Sequence, residues 1–338
     1  MAKKQRTKAP SRNISRLTVI AIILLLAAGA VIIILDRRQF SELLKTSNWS
    51  FLIGAVVFTA ASYLSGGYSF VLMVRAFGGR IKGTHLLNIG ITSLVLLNLI
   101  GQPAGLSLRL LLLGRHNFKS SDAAAASILL SYFKNLFYFS LIPFSLLYII
   151  FSHPLRGLGT ATILVIMLVL IALLVVATGI IFNKRLREIT LRIIAGLWRT
   201  VARRDITAYL EQLSQALTSG IGYLKKERAI RVPLAASIIL DVVATIAALW
   251  FCITALGIAV QPGVLITAFN FGITLTIISF IPGDMGVQEA SVAGVMALFG
   301  VPFAQGVIAA ILFRIVYYFI PFIFTLPVYW YLLREKTR

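Results

Sequence analysis

Apolar runs of about twenty residues recur along this chain, and no other feature restricts its fold so strongly. A hydrocarbon layer about 30 Å thick is crossed by roughly 20 residues of helix, and within it every backbone N–H and C=O must find a partner. Runs of that length stand at 17–35, 50–74, 123–151, 160–182, 232–256 and 304–333. The 338 residues are 59% hydrophobic and 13% charged, whereas soluble domains carry about 45–50% and about 25%. These proportions exclude a soluble enzyme and predict an all-α polytopic membrane protein. The first run follows six basic residues. It is too long for the apolar part of a signal peptide and reads as a retained anchor.

Two further apolar stretches, 86–101 and 264–281, run directly into helix breakers. The first meets Gln102, Pro103 and Gly105; the second meets Pro282, Gly283, Asp284 and Gly286. A second short helical run follows each break, so each stretch is expected to form a re-entrant helical hairpin. Lys and Arg concentrate on the cytoplasmic side of short loops. With six full crossings, two hairpins and both termini in the cytoplasm, 26 of the 32 Lys and Arg lie inside and four outside, at Arg37, Arg38, Lys45 and Arg156. Lys134 and Arg314 fall within the membrane. Letting both stretches cross would move the basic residues of 109–119 outside, so hairpins fit better.

The halves also resemble each other. Asn88, Gly90, Ile91 and Thr92 recur with the same spacing at Asn270, Gly272, Ile273 and Thr274; Phe133, Lys134, Tyr138 and Phe139 recur at Phe313, Arg314, Tyr318 and Phe319. Asparagine and basic residue are 46 positions apart in one half and 44 in the other. The order of the matches carries more weight than any one of them. On the charge-derived topology the hairpins enter from opposite sides, an inverted repeat of the kind that secondary transporters use. The expected organisation is a basic cytoplasmic N-terminus at 1–16, a first membrane half at 17–182 with its hairpin at 86–119, a cytoplasmic linker at 183–231, and a second half at 232–338 with its hairpin at 264–300.

The linker holds eleven basic residues. Leu186, Ile189, Ile193 and Leu197, then Leu213, Leu217, Ile221 and Leu224, keep helical spacing, which predicts two amphipathic helices on the inner leaflet or a solvated pair joining the halves. The net charge of +21 therefore points to anionic lipid headgroups rather than nucleic acid as the partner. Cys252 is the single cysteine, and His85, His116 and His153 are far apart in sequence. No metal site and no cofactor are expected.

An ionised group in the bilayer centre costs about 2.5–3.5 kcal/mol on insertion scales, so it needs a partner or an aqueous cavity. Lys134, Asp241, Asp284, Glu289 and Arg314 are such groups. Lys134 shares a helical face with Ser131 and Tyr138, and Asp241 with Ser237 and Thr245, so both stripes are expected to face inward. The break at Pro282, Gly283 and Gly286 would expose a helix N-terminus suited to a phosphate or carboxylate. Asp284 and Glu289 read equally as internal caps and salt-bridge partners or as substrate contacts.

The segment from Ile281 through Pro282, Gly283, Asp284, Gly286 and Glu289, with Phe313, Arg314 and Tyr318 behind it, resembles the lysylphosphatidylglycerol synthase transmembrane region family, a flippase-like integral membrane family. Pro103, Gly105, Arg109 and Arg115 resemble that family's first Pro/Gly segment, which ends in an arginine and a basic loop. Three departures stand out: Leu106 occupies a position often acidic in the family, Asp284 one commonly glycine, and Gln288 one commonly basic. The full synthases carry a soluble aminoacyl-transferase domain; with the chain ending at Arg338, it is not expected to make the lysyl lipid itself.

The resemblance implies flippase-like lipid transport in the cell membrane. The expected substrate is a phospholipid or polyprenyl phosphate with a charged head. Arg109, Lys134 and Arg314 would meet its phosphate, with Tyr138, Asp241, Asp284, Glu289 and Tyr318 around it. An alternative is a membrane-embedded transferase acting on a lipid headgroup or polyprenyl-phosphate sugar, with Asp284 and Glu289 as base and metal ligand. A third is a scaffold that positions a partner membrane enzyme.

Overall fold

The computed structural model describes residues 47–152, 158–202, 207–279 and 286–334. The basic segment 1–16, the run at 17–35, and Pro282, Gly283 and Asp284 lie outside the described residues. Those described are helical, without a strand. In order they form α1 (Trp49–Ala76), α2 (Gly83–Ile100), α3 (Gln102–Arg115), α4 (Ser120–Ser152), α5 (Leu158–Phe182), α6 (Lys184–Ala202), α7 (Thr207–Lys226), α8 (Arg228–Ala255), α9 (Pro262–Ser279), α10 (Val287–Leu298), α11 (Phe303–Arg314), a π-helical turn (Ile315–Phe319) and α12 (Ile320–Arg334).

Five stretches are long and apolar enough to cross a membrane: α1, α2, α4 from Ser120 to Tyr148, α8, and the rod Phe303–Arg334 made by α11, the π turn and α12. Large apolar side chains stay exposed on them, Ile53 at 64%, Leu240 at 54% and Ile323 at 62% among others. Such an exposed apolar perimeter suits a lipid surround. The expected run at 160–182 falls in α5.

Residue pairs fix the directions of the helices. On α1 and α8, Gly54 meets Phe251, Ser62 meets Asp241 and Ser69 meets Ser237. As one number rises the other falls, so the helices are antiparallel. α2 runs back along α1, with Gly67 against Ile91 and Tyr63 bonded to Asn98. α3 then returns along α2, Gly105 lying on Leu97 and Arg109 on Ser93. These two form a helical hairpin. In the second half α10 returns to α9, where Gly272 faces Gln288 and Val292.

The turn of the first hairpin lies one residue earlier than the sequence suggests. Gly101 has φ 121° and ψ 171°, a conformation open almost only to glycine. Pro103 instead sits in the first turn of α3, where its missing N–H costs nothing. Gly105 lies inside α3, and a Cβ there would come within 2.7 Å of the Ser93 carbonyl oxygen. It is a close-approach glycine rather than a break. Gly286, with φ 80°, does precede a helix, and its N–H donates to Glu289 Oε2 at 2.8 Å.

The two hairpins reach the bundle from opposite ends. The first stands beside the start of α4, since Arg115 and Ser120 are only a short turn apart. α9 runs antiparallel to α4, with Gly263 against Tyr148 and Phe269 against Tyr138. The second hairpin therefore starts beside the far end of α4.

Two expectations are corrected. α7 does not lie apolar side to lipid: Leu213, Leu217, Ile221 and Leu224 are buried in a cluster with Ala123, Ala126 and Leu130 of α4. Only α6 leaves its stripe of Leu186, Ile189, Ile193 and Leu197 exposed. The histidines are not all dispersed, because folding of the first hairpin sets His85 Nε2 2.9 Å from His116 Nε2.

Candidate functional site

Burying a charge in this bundle requires a partner, and α4 and α8 supply one to each other. Lys134 Nζ lies 2.7 Å from Asp241 Oδ2. The carboxylate is 3% exposed and its other oxygen accepts from Ser62 Oγ at 2.5 Å. Ser62 also lies 2.7 Å from the Tyr317 hydroxyl, and Thr245 Oγ1 2.9 Å from it. This polar knot joins α1, α4, α8 and the π turn.

The π turn has a local cause and a local repair. Pro321 has no N–H to give the carbonyl four residues back, that of Tyr317. Tyr63 donates its hydroxyl to that oxygen at 3.0 Å. π turns recur at functional sites, and this one turns both Tyr317 and Tyr318 toward a single cavity.

That cavity has a volume of about 550 Å³, within the 300–1,000 Å³ typical of small-molecule sites. Gly101, Gln102 and Pro103 at the tip of the first hairpin border it, as do Thr276 and Gln288 from the second. Lys134, Tyr138 and Asp241 form part of its wall. Tyr318 donates to Gln288 Oε1 at 2.9 Å, linking the long rod to the second hairpin.

Arg109 is the cavity's unbalanced cation. It is 3% exposed, donates Nε–H to Ser93 Oγ at 2.8 Å and stacks over Phe70 at 4.5 Å from the ring centre. Among the described residues no carboxylate pairs with it. The first turn of α3 also borders the cavity, so the positive end of that helix faces the same space. With Lys134 and Asp241 cancelling, the described wall carries a net single positive charge.

Arg314 and Glu289 lie elsewhere. Arg314 Nε is 2.7 Å from Glu289 Oε1, while the other carboxylate oxygen caps Gly286. Neither residue lines the cavity, so the expected grouping of Arg314 with Arg109 and Lys134 around one phosphate does not occur in this structure. Asp284 lies outside the described residues. Sequence reasoning passed over Ser62, Ser93, Asn98 and Tyr317. A stripe of Ser62, Ser65 and Ser69 inside an apolar run was the available signal for α1; no comparable signal marks Tyr317.

Helices apolar on their outer face, two hairpins from opposite ends and a charged cavity between them define an integral membrane protein with a polar site within its bundle. Residues 17–324 match the lysylphosphatidylglycerol synthase TM region, and the chain belongs to that family. Its membership connects the chain with membrane proteins that handle lipid headgroups. No curated protein matches the chain.

Proposed function

We propose that the protein moves lipids with a phosphate-bearing, net negative headgroup between leaflets, holding the head in the cavity while the tails remain in lipid. The observation that carries this reading is Arg109: a buried guanidinium facing a cavity whose one described carboxylate, Asp241, is already taken by Lys134 calls for an anion from outside. A phosphate accepts several of its N–H groups and also meets the N-terminus of α3. The hairpins are re-entrant in this reading, and the halves form an inverted repeat with both termini on the cytoplasmic side of the cell membrane. The antiparallel course of α1 and α8, each preceding a hairpin, supports that symmetry. Rocking of the hairpins would open the cavity to either leaflet in turn. The Lys134–Asp241 pair balances itself and so leaves the charge preference to Arg109.

The activity is transport rather than chemical turnover. Both oxygens of Glu289 are engaged by Arg314 and the Gly286 N–H, which supports a structural role for the one described carboxylate that the transferase alternative uses.

Reconstitution into phosphatidylcholine vesicles containing a trace of head-labelled fluorescent phosphatidylglycerol tests the proposal. The wild type is expected to accelerate leaflet exchange of this lipid above that of a labelled phosphatidylcholine. Arg109→Gln should slow it by about 10-fold or more, as loss of a charge-assisted contact predicts. Exchange no faster than in protein-free vesicles would overturn the reading. Headgroup turnover in detergent, where no leaflets exist, would favour the transferase instead.

A further inference from the structure

A second, apolar space lies back to back with the polar cavity. Its volume is about 400 Å³, with Phe133 and Phe137 of α4 on one side, Leu234 and Ile238 of α8 on the other, and Lys225 and Arg231 at its rim. Ile238 borders both spaces. On α4 the groove-facing residues Phe133 and Phe137 each precede a cavity-facing one, Lys134 and Tyr138. The partition is thus the seam between α4 and α8, and the bond across it is the ion pair of Lys134 and Asp241.

Building on the transport reading, we propose that this groove seats one acyl chain of an anionic phospholipid and that the α4–α8 seam is the side door through which its head reaches the cavity. Inside the rim the wall offers an alkyl chain apolar contact everywhere but at Ser140. At the rim, Lys225 and Arg231 are exposed and belong to segment 184–231, where eleven basic residues face four acidic ones, a surplus that selects an anionic head. A phosphate passing inward meets Lys134 at the seam and competes with Asp241 for it. It therefore loosens the contact that holds the door. Beyond the seam Arg109 waits in the same cavity.

Phosphatidylglycerol carrying a photoactivatable diazirine in one acyl chain, present as a minor lipid in phosphatidylcholine vesicles with the full chain, tests this. Labelling should concentrate at Phe133, Phe137, Leu234 and Ala235, above that at Leu240 and Val243 on the outer face of α8. Lys225→Gln and Arg231→Gln should each reduce groove labelling about five-fold. Ala235→Trp should fill the groove and abolish labelling there while the outer face of α8 stays labelled. Even labelling around α4 and α8, or groove labelling equally strong with a diazirine phosphatidylcholine, would overturn the proposal. Leaflet exchange measured on the same vesicles keeps the two ideas apart: exchange with even labelling removes the seat alone, and groove labelling without exchange removes the transport reading alone.

Discussion

Lys134 and Asp241 stand 107 positions apart, and each looks expensive until the other is placed beside it. Removing one partner leaves the other uncompensated, which costs about 3–5 kcal/mol for a buried pair. Lys134→Met or Asp241→Leu alone should therefore lower the thermal stability of the purified protein substantially, whereas the double variant should recover most of the loss. Additive losses in that cycle would mean that the pair is not coupled. Sequence reading placed both residues inward because each sits on a polar helical stripe. It could not pair them, since spacing along a helix says nothing about which helix lies opposite. The same limit explains Arg314: helical spacing leaves Glu289 equally a salt-bridge partner or a substrate contact, and only the fold sets it on Arg314, away from the cavity lining.

At the scale of elements, the first hairpin was legible as a break in an apolar run, but its turn was assigned to the wrong glycine. Pro103 attracts attention as a helix breaker, yet in the first turn of a helix it is at home. Gly101 and Gly105 differ in what they demand. Gly101→Ala forces a side chain into a region of φ and ψ that costs about 1–3 kcal/mol, and Gly105→Val drives new atoms into Ser93 and Leu97 at a similar cost from overpacking. Both should lower thermal stability, but Gly105→Val should also displace Arg109 by levering α3 from α2, and so reduce phosphatidylglycerol exchange more than Gly101→Ala does. Equal loss of exchange in the two would contradict this. The amphipathic pattern of α7 is legible, but its neighbour is not: of the two readings the pattern leaves open, packing on α4 removes the lipid contact, because an apolar stripe fits a neighbouring helix as well as it fits a membrane.

Over the whole molecule, apolar length and composition make the class of fold visible. The depth of the hairpins was not legible, since 18 residues of α2 span about 27 Å as a helix, close to a full crossing. Gln102→Cys in a Cys252→Ser background separates the two depths. A re-entrant tip should react slowly with a membrane-impermeant maleimide from either side, while a tip that crosses should react rapidly from outside.

The long contact between α1 and α8 has a mechanical consequence. It is fastened at three heights, by Gly54 on Phe251, Ser62 on Asp241 and Ser69 on Ser237. A joint riveted along its length cannot slide without breaking every fastening at once, so this pair serves as the fixed mast of the molecule. In the proposed transport cycle, the hairpins would swing around it.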